Sequence, residues 1–374
     1  MSSTETPFRF YDNRQKYLQF VTTTNEKWRV AERSARELSN LRPEPPALRL
    51  FDAGIGDGTV LAYLLRAMHQ EYPTIPFYVV GKEISLEDVR LTLEKLPDRF
   101  VEHPQSVVVV TNVNYAEAPA LRPSTTEKQE RMVMEYVELD GSDSYSYGEQ
   151  LRSMEDFLVE NWAVAPSKKT GNPLYVTPTA MVIYRKDQKF ALDNVIPRRD
   201  EYKADYDLII ASQPWRSRTG ADFKVNKILC PLSRSLRSHG VLLGIQSSGD
   251  DPGIEIVHGV WPDEDPFPVD RHELLHKLHS ELGDDVRQFD LMAMPDDRSK
   301  LTYEMHTLPS DIGMSIGTST LFAAWNAAIY VAQIEDQRAE EAALDGRYLD
   351  ATSEVLKRRG GLWFHDETFV VRRN

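Results

Sequence analysis

The run ALRLFDAGIGDGTVLAYLLRAMH, residues 47–69, constrains the fold of this chain more than any other stretch. An apolar segment without polar alternation reads as a strand buried on both faces. An aspartate follows, then three glycines at alternate positions, Gly54, Gly56 and Gly58. After them Val60, Leu61, Leu64, Leu65 and Met68 recur at helical spacing. Strand, bare loop and helix in that order place backbone amides at a helix N-terminus, which favours negative or polar ligand groups. Glycines there serve either a tight turn or the close approach of something bound.

The same alternation continues downstream. PFYVVG (76–81) and SVVVVTNV (106–113) read as two more buried strands, with the helical SLEDVRLTLEKL between them. It breaks over 122–205, where strand-like MVMEYVEL and TAMVIY enclose the helix-like EQLRSMEDFLVENW and a turn at KKTGNP. It resumes with YDLIIAS (206–212), a helix through Leu236 and GVLLGIQS (240–247). A helix is expected over 270–283, and FDLMAM, LTYEMHTL and TFVVRR compete for the last strands. Ahead of the sheet, Trp28, Ala31, Ala35 and Leu38 mark the apolar face of a helix that RPEPP must end. The predicted fold is α/β, a doubly wound, mostly parallel seven-stranded sheet. Its parts are a helical segment 1–46, a first half 47–121, an insertion 122–205, a second half 206–310, and a helical extension with a terminal strand 311–374.

Net charge is −14, without a basic stripe, which argues against nucleic acid and anionic membranes as partners. The insertion is divided: Glu127 to Glu160 carries ten acidic and three basic residues, and Lys168 to Lys203 eight basic and four acidic. Two halves that attract each other, or a lid over a polar substrate, both fit that pattern. One cysteine, Cys230, rules out an intramolecular disulfide and a cysteine metal cluster. The N-terminus lacks a signal-peptide pattern and no apolar run is long enough to span a bilayer, so a cytoplasmic location is expected.

The second strand ends VVGKEIS, with Glu83 at its tip, 25 residues beyond Gly58. A carboxylate there can accept hydrogen bonds from ribose hydroxyls, so loop and acid together point to a nucleoside-containing ligand. The glycine spacing G-I-G-D-G does not meet the dinucleotide fingerprint, because Thr59 stands at the third-glycine position. The combination D-A-G-I-G-D-G-T and G-K-E-I-S resembles motifs I and II of class I S-adenosylmethionine-dependent methyltransferases, over 47–121 and 206–310. The resemblance implies that Gly54, Gly56 and Gly58 bed the methionine part of S-adenosylmethionine. It places Asp52 near the cofactor's amino group, Glu83 on its ribose and Asn112, after the third strand, at its adenine.

The fourth strand ends ASQPW. Relatives that methylate nitrogen have a D/N/S-P-P-aromatic motif there; Ser212, Pro214 and Trp215 match it and Gln213 replaces a proline. The residue types suit polar grip on a nitrogen and an aromatic face against developing positive charge. Tyr11 and Tyr17 are candidate bases or packing residues in a segment that the resemblance implies folds over the cofactor. Asp250, Asp251, Glu255 and Asp263 could meet a cationic acceptor or serve as turn residues.

RHELLHKLHSEL carries His272, Glu273 and His276 in the zinc-hydrolase spacing, with His279 beside them. The longer zincin pattern fails, since Leu282 stands at its third histidine; Glu304 lies downstream at a plausible distance for a further ligand, with no independent feature to select it. Leu274, Leu275, Leu278 and Leu282 form an apolar stripe for packing on the sheet between the fifth and sixth strands. The expected protein is therefore a methyltransferase for a small-molecule acceptor, nitrogen slightly favoured over oxygen, with S-adenosylmethionine as cofactor and no metal. Its rivals are a catalytically silent cofactor-binding scaffold of the same fold, an aminopropyl transferase and a zinc hydrolase.

Overall fold

A computed structural model describes residues 14–167, 173–201, 203–308 and 316–374; Tyr11 and the turn lysines Lys168 and Lys169 lie outside these. Twelve strands are present among the described residues: β1 (Leu48–Asp52), β2 (Phe77–Lys82), β3 (Ser106–Thr111), β4 (Val133–Leu139), β5 (Val164–Pro166), β6 (Pro173–Tyr175), β7 (Thr179–Arg185), β8 (Tyr206–Ser212), β9 (Leu236–Ser247), β10 (Phe289–Met292), β11 (Lys300–Glu304) and β12 (Trp363–Arg373). Ten form one sheet in the order β10-β12-β9-β8-β1-β2-β3-β7-β4, with β11 also paired to β12. The five strands β3, β2, β1, β8 and β9 run parallel, whereas β12 lies antiparallel between β9 and β10. The arrangement is consistent with the class I methyltransferase-like fold that the sequence resemblance implies.

The sheet is larger than the predicted seven strands for two reasons. MVMEYVEL and TAMVIY in the insertion become β4 and β7 and extend the sheet beyond β3, since Val108 and Val110 there leave an edge with open backbone groups. The three segments competing for the last strands all find places, as β10, β11 and β12. The oppositely charged halves of the insertion do meet, through Lys186–Asp140 at 2.8 Å and Lys189–Glu138 at 2.6 Å. Both pairs are exposed and screened by solvent, so they add little; the buried strand β7 fixes the insertion more firmly.

Strands buried on both faces need cover on both. Phe51, Val80, Val109, Ile209 and Leu242 pack on one side, and Leu50, Val79, Val108, Ile210 and Leu243 on the other. That division is the two-residue strand period at work. The helix Arg271–Leu282 contributes Leu274, Leu275, Leu278 and Leu282 to the first side, as its stripe predicts. A third cluster joins the N-terminal helix Arg14–Thr23 to the C-terminal helices Thr318–Val331 and Arg347–Arg359 through Tyr17, Phe20, Trp325, Tyr330 and Leu356.

Two local predictions need correction. The N-terminal helix divides into Arg14–Thr23 and Glu26–Ala35, because Thr24 and Asn25 pair with the end of β11: Asn25 N–H donates to Glu304 O at 3.0 Å and His306 N–H to Thr23 O at 3.0 Å. Trp28 then turns outward, 52% exposed, and Val30 and Ala31 fill the core. The helix expected through Leu236 ends at Arg234, after a π-helical stretch Val225–Leu229. Pro231 has no N–H to donate and crowds the carbonyl four residues back, which widens that turn.

Candidate cofactor crevice

The strand order reverses at β1, with β2 on one side and β8 on the other, which opens a crevice beyond their carboxyl ends. The glycine loop leaves β1 at this point. Its glycines have different reasons to be there. Gly58, at φ +77°, caps the helix Thr59–Glu71, and a Cβ would come within 2.8 Å of the Thr92 backbone. Gly56, at φ +54°, has the Tyr17 hydroxyl 3.1 Å from the same position. Gly54 has no positive φ, it is exposed, and among the described residues no atom beyond its two chain neighbours lies within 4 Å of the point that a Cβ would occupy. No described residue requires glycine there, and the position leaves open space at the crevice.

Two acids flank that space. Asp52 is buried and accepts from Gly54 N–H at 3.2 Å. Burial, aided by Glu83, pushes its carboxyl up to about 6, against the Gly54 bond and the Lys27 charge. Glu83, half-buried, accepts from Gly56 N–H at 2.9 Å through Oε2, and from Ile84 and Ser85 N–H at 2.8 and 2.9 Å through Oε1. Burial raises its pKa, with Lys82 and the amide bonds opposing. A carboxylate has about four acceptor positions, so three amide bonds orient it and leave capacity for a ligand hydroxyl.

Tyr17 reaches the loop from the helix Arg14–Thr23. Its hydroxyl accepts from Asp57 N–H at 3.3 Å, and burial holds its pKa well above the ordinary tyrosine value. Deprotonation is thus disfavoured, which fits packing over the loop better than the role of a base. Lys27, which no motif or spacing singles out, sits beside it with Nζ 5.8 Å from the Tyr17 ring centroid and 3.3 Å from Glu26 Oε2. Burial works against the Lys27 charge, yet Glu26, Tyr17, Tyr330 and Asp57 outweigh it and hold the pKa well above normal.

Asn112 is a correction. It is fully buried, donates through Nδ2 to Asn161 O at 3.1 Å and Thr177 O at 2.9 Å, and accepts from Thr179 N–H at 2.8 Å. Both its donors are spent on the insertion, so it clamps β7 to β3 and has no N–H left for an adenine. The insertion meets the crevice at another point, where Trp162 Nε1 donates to Glu83 O at 3.0 Å.

Ser212, Gln213 and Pro214 lie half-buried at the end of β8. Trp215 does not offer an aromatic wall: it is buried, Nε1 donates to Gln246 Oε1 at 3.1 Å, and Lys224 Nζ lies 5.6 Å from its ring centroid. Its cation partner is the protein's own. Asp251 and Glu255 are likewise committed, Asp251 as the cap of helix Pro252–Val260 and Glu255 to Arg358 and Arg359. Asp250 and Asp263 are exposed. Asp366, on β12, adjoins this loop through Gln213; its signal in the sequence is the acidic pair Asp366-Glu367 inside an otherwise strand-like run.

His272, His276 and His279 are exposed along the margin of their leucine stripe, and Glu304 is bound through its backbone to Asn25. Among the described residues no group of three or more His, Cys, Asp or Glu side chains is arranged to hold a metal ion. No helix among them is long and apolar enough to cross a membrane.

No protein-family model and no curated protein matches the chain. Solved structures similar to it include a putative sarcosine dimethylglycine methyltransferase from Galdieria sulphuraria, at 12% identity and TM-score 0.37 over 92% of this chain and 85% of that one. A geranyl diphosphate methyltransferase in complex with its diphosphate and sinefungin matches at 10% identity and TM-score 0.32 over 92% and 78%. A phosphoethanolamine N-methyltransferase 2 from Haemonchus contortus matches at 10% and TM-score 0.29 over 92% and 52%. At these scores the functional reading has to stand on the crevice itself.

Proposed function

We propose that this chain is an S-adenosylmethionine-dependent methyltransferase acting on a small-molecule acceptor, with nitrogen slightly favoured over oxygen. The observation that supports this most is Gly54: an ordinary backbone conformation with empty space at its missing side chain, between two carboxyls at the switch point of the sheet. The residues fit the cofactor's polar groups. Glu83 is oriented by three amides and can accept from a ribose hydroxyl, while Asp52 can take up an ammonium group beside the loop. Bound there, S-adenosylmethionine supplies a methyl group already activated on a sulfonium.

The protein's contribution is then alignment and exclusion of water. The loop and Glu83 hold one partner at the ends of β1 and β2, and Ser212 and Gln213 at the end of β8 border the other. Tyr17 and the helix Arg14–Thr23 cover the loop. Glu26, Asp251 and Asp366 are buried together behind the loop after β8, and the preference for nitrogen rests on the polar groups of Ser212 and Gln213 at the end of β8.

Calorimetric titration of the purified chain with S-adenosylmethionine tests this, repeated on Glu83→Ala and Gly54→Val. The expected result is micromolar-range binding, about 8 kcal/mol, weakened at least about tenfold in both variants. No binding to the wild type would sink the proposal. Binding without turnover of any amine or hydroxyl acceptor in a broad screen would favour the silent scaffold.

A further inference from the structure

Gln213 occupies the place where the nitrogen-methylating motif has a proline, and its surroundings give that departure a physical meaning. Its φ of +48° is a conformation that side-chain-bearing residues rarely hold. The backbone N–H donates to Ile245 O at 2.9 Å, and the side-chain Nε2 donates to both oxygens of Asp366, at 3.2 and 3.4 Å. Asp366 is 0% exposed and pairs across the sheet with Ser247 at the end of β9.

The groups facing Asp366 come from five elements. Glu26 belongs to helix Glu26–Ala35, Asp251 caps helix Pro252–Val260, Tyr303 lies on β11, Ser247 on β9, and Gln213 follows β8. Two of the five are carboxyls, and no lysine or arginine among the described residues forms an ion pair with Asp366. A buried carboxyl in such company is a burden on the fold. The Tyr303 hydroxyl, buried among the same carboxyls, has no hydrogen-bond partner among the described residues. The amide of Gln213 is the group that reaches both Asp366 oxygens.

We propose that Asp366 is a positioning residue of the acceptor loop: it turns the Gln213 Nε2 into the protein and leaves Gln213 Oε1 as the atom offered to a hydrogen-bond-donating methyl acceptor. Its purpose rests on the methyl-transfer reading, whereas its geometry does not. An ionised carboxyl accepts only, and so fixes the amide in this orientation; a protonated one can also donate, and permits the amide to turn. Burial first, then Glu26 and Asp251, push Asp366 up to about 8, against the Gln213 hydrogen bonds. The orientation of Gln213 therefore changes across mildly alkaline pH. A carboxyl raised in this way favours the fold while it stays protonated, and that advantage is lost as pH rises from the ordinary aspartate range through about 8.

The test uses the full chain with glutamine side chains labelled with nitrogen-15. The Gln213 amide resonance is identified by its loss in Gln213→Ala and followed from pH 6 to 10 in the wild type and in Asp366→Asn. The expected result is a single titration near pH 8 in the wild type that vanishes in Asp366→Asn, together with a higher Tm for that variant at pH 8.5. A resonance that does not move in the wild type, or moves identically in the variant, overturns the proposal, as does a lowered Tm. Parallel titration with S-adenosylhomocysteine separates the two readings. Failure to bind it while the Gln213 resonance titrates removes the methyl-transfer reading and leaves the Asp366–Gln213 link standing.

Discussion

At the scale of residues, the three glycines of the loop show how one residue type serves unlike ends. Gly58 is glycine because of φ +77° and the Thr92 backbone, whereas at Gly54 the described residues leave the Cβ position open. Gly58→Ala is expected to destabilise the fold by about 1–3 kcal/mol in urea unfolding. Gly54→Ala should leave the unfolding midpoint unchanged within about 0.5 kcal/mol and act on cofactor affinity alone. Equal losses of stability in the two variants would remove the argument for a ligand at Gly54. Glycine spacing and an acid after the second strand make the crevice legible in the sequence. Lys27 is not legible: nothing near it in the chain indicates that Glu26, Tyr17 and Tyr330 will surround it.

Elements decide what the side chains at strand ends can do. Asn112 is a plausible adenine contact as long as β3 is taken for an edge strand. Once β7 pairs with β3, the amide holds Asn161, Thr177 and Thr179 instead. Asn112→Ala strands the buried Thr179 N–H and leaves the Asn161 and Thr177 carbonyls to share the Thr179 hydroxyl, and should cost about 1–3 kcal/mol of stability with cofactor affinity changed less than about twofold. Calorimetry beside urea unfolding distinguishes this from an adenine role, which would show the reverse. Trp215 follows the same logic. Its position after β8 matches a motif, but Gln246 and Lys224 from neighbouring elements claim its two polar functions.

Over the whole molecule, the titration of buried acids sets the pH response. Burial raises Asp52 and Asp207 to about 6 and Asp366 to about 8. Between the ordinary aspartate range and these values the unfolded chain binds fewer protons than the folded one, so stability falls as pH rises. Asp57 runs the other way: burial opposes its charge, but Thr59, Lys27 and Lys95 outweigh that and lower its pKa, as partners also do for Glu264 and Glu255. Those groups lose stability when acid protonates them. Tm should accordingly peak in mildly acidic buffer, higher at pH 5.5 than at pH 8.5, and fall again below pH 4. A Tm rising steadily from pH 5.5 to pH 8.5 would contradict these assignments.

The sequence by itself determined the buried parallel strands, the glycine loop with its following helix, Glu83 at the tip of β2 and the leucine stripe beneath the HELLH histidines. Each is written in local periodicity or in a short spacing, and the physics that reads them acts over a turn of helix or a few residues of strand. Tertiary structure alone decided that the insertion continues the sheet, that Asn112 and Trp215 face inward, and that Asp366, more than 150 residues downstream in the chain, comes to hold Gln213. Pairing of distant strands sets those contacts, and no local pattern encodes which strand a given edge will accept.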